Sequence, residues 1–308
     1  MSASPELTVV ADGLRFPEGP VALYDGSVLV VEIERQTLSK VWPDGRIEIV
    51  ATLGGGPNGV AIGPDGAAYV CNNGGFEWHE IGGALIPSHK PHDYCGGSIQ
   101  RVDLQSGEVT LLYTECGGKL LLGPNDLVFD AHGGFYFSDH GKSTDDYREN
   151  GALYYATSDG STISRLKDGL LGPNGVGISP DGKRLYVAET PTSRVWAFDI
   201  ISPGVFGDAP TPFQPGHLVC TLPQYRLLDS LKVEAGGRIC VGTLIDGGIT
   251  VFDTEGGHEF VAFPGEVGVT NLCFGGDDMR DCWATASPSG RLYKFRWPRA
   301  GLPLEFNA

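Results

Sequence analysis

Residues 57–73 read PNGVAIGPDGAAYVCNN. An asparagine after proline leads a short apolar run, a Pro-Asp-Gly turn reverses the chain, and a second apolar run returns. Asp-Gly suits such a turn because both residues tolerate positive φ, so the stretch reads as a β-hairpin. The phrase recurs as PNDLVFDAHGGFYFSDH from Pro124 and as PNGVGISPDGKRLYVAET from Pro173. Three looser copies complete the series: PEGPVALYDGSVLVVE from Pro17, LDSLKVEAGGRICVGT from Leu228 and TNLCFGGDDMRDCWATAS from Thr270. Downstream of each hairpin comes a third strand and often a fourth, as in GSIQRVDLQSGEVTLLYT from Gly97 and SRVWAFDI from Ser193. A period of two dominates throughout, with no long amphipathic helical stripe.

The residues leading the six units are Glu18, Asn58, Asn125, Asn174, Asp229 and Asn271, spaced by 40, 67, 49, 55 and 42 residues. Units of this length with three or four strands each define a β-propeller. The expected fold is therefore all-β, a six-bladed propeller with four-stranded blades formed by one domain over residues 1–308. The strand around Leu7 to Val10 is expected to join the last blade, which removes an exposed sheet edge. The one long spacing reflects an insertion over about 73–96, which carries Trp78, His79, His89, His92 and Tyr94. Long loops in compact domains are functional or disordered, and this aromatic and histidine content favours an ordered lid.

Composition narrows the function. The 46 glycines and 21 prolines punctuate apolar runs rather than forming a tail, as many short strands require. A net charge of −16 repels phosphate backbones, so nucleic acid is excluded as a partner. Seven cysteines include no C-x-x-C pair, which argues against a disulfide framework or a thiolate zinc site. The opening MSASPELTVVADG lacks the basic and apolar segments of a signal peptide. No apolar run approaches the roughly 18 residues that span a membrane. A cytoplasmic protein without a membrane partner is the expectation.

In a propeller the innermost strand of each blade lines the central channel, so the six leading residues converge. All are carboxylates or carboxamides. Asn and Asp also satisfy backbone groups in Asx turns, but six in register, two of them acids, favour a cation. Two acids in a narrow channel repel each other unless neutralised, and oxygen donors suit hard divalent ions. A central metal site is therefore expected.

FPEGP at Phe16 to Pro20, GPND at Gly123 to Asp126, PNGVGISPDG at Pro173 to Gly182, Asp229 within LLDSLKVEAGG and TNLCFGG at Thr270 to Gly276 together resemble the senescence-marker-protein (regucalcin), gluconolactonase and luciferin-regenerating-enzyme family. The resemblance covers nearly the whole chain. It implies a six-bladed propeller and one divalent cation, calcium first, with zinc, magnesium, manganese or iron as alternatives. It further implies Glu18, Asn125, Asn174 and Asp229 as metal ligands, with Asp229 catalytic, and hydrolysis of a small-molecule lactone, usually a sugar lactone. Diisopropyl fluorophosphatase and staphylococcal-type lactonases share the scaffold, and the Asp229–Ser230 pair looks more like the latter.

In that chemistry the cation polarises the carbonyl and activates water, while Asp229 takes the proton. No G-x-S-x-G turn offers a serine route. Asn58, Trp78, Tyr94, His140 and Asn271 are the candidate substrate-binding residues. One departure stands out: sugar-lactone members of the regucalcin type carry an arginine two residues before an Asn ligand, where this chain has Gly123. Alternative functions are hydrolysis of phosphoesters or organophosphates at the same site, or a non-enzymatic interaction platform.

Overall fold

The computed structural model describes residues 5–306, and every regular element among them is a β-strand. Six antiparallel sheets follow one another along the chain. Their innermost strands are Pro17–Ala22, Pro57–Ile62, Pro124–Phe129, Pro173–Ile178, Leu228–Val233 and Val269–Gly275. Each packs on the next, and the sixth packs on the first, so the strands close a ring around a channel. We number the blades 1 to 6 in this order. Blade 4 carries an extra short strand, Val205–Phe206. Thr8–Ala11 pairs antiparallel with Arg291–Arg296 as the outer strand of blade 6, so the two ends of the chain close the ring.

Why the chain folds this way is visible in the hairpins. Apolar residues alternate between the two faces of each sheet and pack against the neighbouring blades. Tyr69, Phe129, Phe135, Phe137 and Tyr154 thus form one core between blades 2 and 3. Val176, Leu185, Val187 and Trp196 join Val128 and Tyr136 between blades 3 and 4.

Where glycine follows the leader, in blades 1, 2 and 4, the next inner strand approaches too closely for a side chain. A Cβ on Gly59 would lie 2.5 Å from Asn125 O, and one on Gly175 would lie 2.2 Å from Leu231 N. This explains the repeated Asn-Gly.

One end of the channel is plugged. Leu302 N donates to Val233 O at 2.9 Å, and Phe306 packs edge-on against Phe129. Leu302 and Leu304 close a small apolar cavity of about 30 Å³ at this end. The other end, where the inner strands begin, is the mouth.

Two excursions rise at the mouth. The first, between the second and third strands of blade 2, folds as a hairpin of Trp78–Ile81 against Ala84–Pro87. It leans over blade 1, where Trp78 packs on Phe16 with ring centroids 5.1 Å apart and Leu85 joins Phe16 and Ile33. Its tip reaches blade 6, where Leu85 N donates to Pro288 O at 2.9 Å. The second excursion, in blade 3, pairs Lys142–Ser143 with Arg148–Glu149. Nothing in the sequence reading anticipates it. The two are joined by a hydrogen bond from Lys90 N to Ser143 O, 3.1 Å. All seven cysteines are free thiols, and four of them are fully buried.

Candidate functional site

Every inner strand breaks register with its partner at or next to the leading residue: between Glu18 and Val21, Pro57 and Val60, Pro124 and Leu127, Pro173 and Val176, Leu228 and Leu231, and Val269 and Asn271. Such bulges re-aim side chains.

A second device fixes the loop entering the inner strand in blades 1 to 4. The residue closing the second strand of a blade turns its polar end to that loop's backbone. Glu32 accepts from Arg15 N (2.8 Å), Asn72 from Gly56 N (2.8 Å) and Glu189 from Leu171 N (2.6 Å). Asp139 accepts from Leu122 N, Gly123 N and Gly141 N at 2.7, 2.7 and 2.8 Å. The sequence reading passed over these residues, although each closes a quoted repeat.

Glu18 is buried at the mouth of blade 1. Its Oε2 accepts from Gly19 N and from Asn271 Nδ2, both at 3.0 Å. Asn271 is fully buried, and its Oδ1 accepts from Leu272 N at 2.8 Å. Both ends of that amide are thus engaged inside the protein, so Asn271 reaches the channel through Glu18 rather than as a direct substrate contact. Asn58 is buried on the strand between those of Glu18 and Asn125.

The Asn125 Oδ1 is buried and has no hydrogen-bond partner. Leaving such an acceptor unpaired is costly, and an oxygen aimed at a cation is the physical remedy. Asn174 is held from both sides. Its Nδ2 donates to Thr190 Oγ1 at 3.1 Å, and its Oδ1 accepts from Ser230 Oγ at 3.4 Å. Asp229, beside Ser230, keeps partial exposure.

Burial pushes the Asp229 carboxyl well above the usual range, the Glu18 charge pushes it further, and the Asn174 amide opposes the rise. Glu18 is raised in turn, chiefly by burial. Two desolvated acids and an unpaired amide oxygen are donors of the type a hard divalent cation takes.

The sequence reading missed two groups below these residues. Asp126 is buried and accepts from its own neighbour Leu127 N (3.0 Å), from Val176 N (3.3 Å) and from Lys232 Nζ (3.4 Å). Lys232 is the only basic residue on the six inner strands, a signal that was legible.

Trp78 packs on Phe16 and Phe76 and so seats the hairpin. The Tyr94 hydroxyl donates to Leu122 O at 2.5 Å, just before the Gly123-Pro124-Asn125 lead-in. His140 N donates to Gly123 O at 2.8 Å, and its ring meets Arg148. At Gly123 itself a Cβ would lie 2.5 Å from Gly141 O, so this backbone leaves no room for an arginine there.

The chain belongs to the SMP-30/gluconolactonase/LRE-like family, whose model matches residues 16–288. Lactonase drp35 from Staphylococcus saprophyticus is 28% identical over 263 residues, spanning 83% of this chain and 72% of its own. Gluconolactonase from Zymomonas mobilis is 24% identical over 307 residues, covering 89% and 77% respectively. Among solved structures, a gluconolactonase from Xanthomonas campestris superposes with a TM-score of 0.74 over 96% of this chain and 90% of its own, at 23% identity, a likeness of fold.

Proposed function

We propose that the protein is a metal-dependent lactone hydrolase whose cation is held by Glu18, Asn125, Asn174 and Asp229. The observation carrying this reading is the buried, unpartnered Asn125 Oδ1 together with two carboxyls, Glu18 and Asp229, that burial pushes up. The lactonases and gluconolactonase among its relatives supply the reaction class.

A divalent cation at such a site polarises a carbonyl and lowers the pKa of adjacent water. Asp229 is the general base, because it is the ligand with access to solvent. Water oxygen bonds to the lactone carbonyl carbon, the ring C–O bond breaks, and the proton taken by Asp229 returns to the departing alkoxide. Asn174 keeps its oxygen toward the channel because Thr190 accepts from its nitrogen. Asn271 orients Glu18. The blade-2 hairpin shields the blade-1 side of the mouth. Calcium is the cation first expected, and seven free thiols suit a reducing, cytoplasmic compartment.

The test is hydrolysis of a lactone panel and an organophosphate panel on one preparation, with and without chelator. Lactone turnover that disappears with chelator and in Asp229→Asn is expected. Chelator-resistant turnover, or full activity in that variant, overturns the mechanism. Turnover confined to organophosphates overturns the substrate class.

A further inference from the structure

The blade-3 hairpin brings a guanidinium to the mouth. Arg148 Nη2 donates to His140 O at 2.6 Å and to His140 Nδ1 at 2.9 Å, and Nη1 donates to Ser143 Oγ at 3.3 Å. Its Nε is buried without a partner. Other half-buried arginines meet acids, as Arg299 meets Glu234 and Arg291 meets Glu266. Among the described residues Arg148 makes no ion pair, and neither does Lys142, buried nearby against Gly75 O, Asn73 Oδ1 and the Phe76 ring. In a chain of net charge −16, a partly desolvated guanidinium with no carboxylate partner is a place for an anion.

Their place is specific. A Cβ on Gly172, two residues before Asn174, would lie 2.7 Å from Arg148 Nη2 and 2.9 Å from His140 Nε2. His140 is bonded to Gly123, two residues before Asn125. The pair therefore sits on the rim between two ligand-bearing strands, roughly 7 Å along the chain from their amides. That is about the reach of a lactone ring and its substituent. Arginine cannot accept a hydrogen bond, so His140 Nδ1 accepts and Nε2 carries the proton. Burial, and then the charges of Arg148 and Lys142, depress its pKa to about 3, which keeps the ring neutral.

We propose that Arg148 and His140 form a carboxylate-binding subsite, making the substrate a lactone that carries a free carboxylate. This rests on the lactonase reading above. One remaining Nη1 hydrogen and the His140 Nε2 hydrogen match the two oxygens of a monoanion. Arg148 Nε is buried out of a ligand's reach, so the pair offers two donors, fewer than the three oxygens of a phosphate dianion ask for. The subsite supplies, from another element, the cation that Gly123 cannot carry.

The experiment compares kcat/KM for saccharic acid 1,4-lactone, glucono-δ-lactone and 6-phosphogluconolactone. The carboxylate-bearing lactone is expected to lead. In Arg148→Gln its advantage over gluconolactone falls by about 30-fold, mainly through KM, as loss of a charge-assisted hydrogen bond predicts. Arg148→Lys, which keeps the charge without the fork, falls between. Calorimetric binding of the same lactones to Asp229→Asn protein, and to Asp229→Asn/Arg148→Gln, reads the subsite without turnover. The lactonase reading and this proposal can therefore fail separately. Equal binding of neutral and carboxylate lactones, a phosphate preference, or selectivity unchanged in a folded Arg148→Gln protein overturns the proposal.

Discussion

Replacing Gly175 by alanine adds one methyl group where the inner strands of blades 4 and 5 nearly touch. The new Cβ would lie 2.2 Å from Leu231 N, 2.6 Å from Ser230 C and 2.7 Å from Ser230 Cα. All three are backbone atoms, so no side chain can rotate away. Relief needs about 1 Å of separation to approach ordinary contact, and the strand that moves carries Asp229. Overpacking of this kind costs about 1–3 kcal/mol, and the backbone clash places this case at the upper end. For a chain of this size about 3 kcal/mol lowers Tm by roughly 6 °C. Differential scanning calorimetry measures that change, and calcium titration should show weakened affinity because Ser230 and Asp229 move together. Gly236→Ala serves as the control, since its Cβ meets nothing within 4 Å. A Gly175→Ala protein with unchanged Tm and calcium affinity would refute the view that inner-strand packing sets the site.

Further outcomes follow from the same geometry. Asp139→Ala strands three backbone N–H groups and should cost about 3 kcal/mol or more, read by urea denaturation; a loss below about 1 kcal/mol would contradict its role in anchoring the Asn125 loop. Burial lowers the Lys142 pKa from 10.5 to about 7, so between these values the unfolded chain binds the extra proton and stability rises with pH. From pH 7 to 9 wild type should gain about 2 kcal/mol relative to Lys142→Met; parallel stability curves would show that the ammonium is not desolvated in solution.

Much of the architecture was legible because each blade repeats the same local chemistry. The Asp-Gly turns, the period-two strands and the six leading residues specify hairpins whose inner strands must converge, and Thr8–Ala11 closes blade 6 as expected. The second mouth hairpin was not legible. Lys142–Ser143 and Arg148–Glu149 form strands of two residues each, too short for any periodicity, and they are held by contacts with the blade-2 excursion. Asp126 was hidden for a different reason. It follows Asn125 where three of the other units have glycine, and only the bulge turns its side chain to Lys232 from a strand 106 residues away. Asn271 shows the limit of reading by register. It lies on the inner strand of blade 6, but a buried neighbour, Glu18, takes its amide.

The account depends most on the four oxygen donors acting together on one cation. Calorimetric titration of chelator-treated protein with calcium, repeated in buffers of different ionisation enthalpy, tests this directly. One ion per chain should bind with release of protons, because Asp229 and Glu18 must ionise to accept it, and Glu18→Gln should abolish binding. Absence of divalent-ion binding in the wild type, or binding that survives Glu18→Gln unchanged, would contradict it.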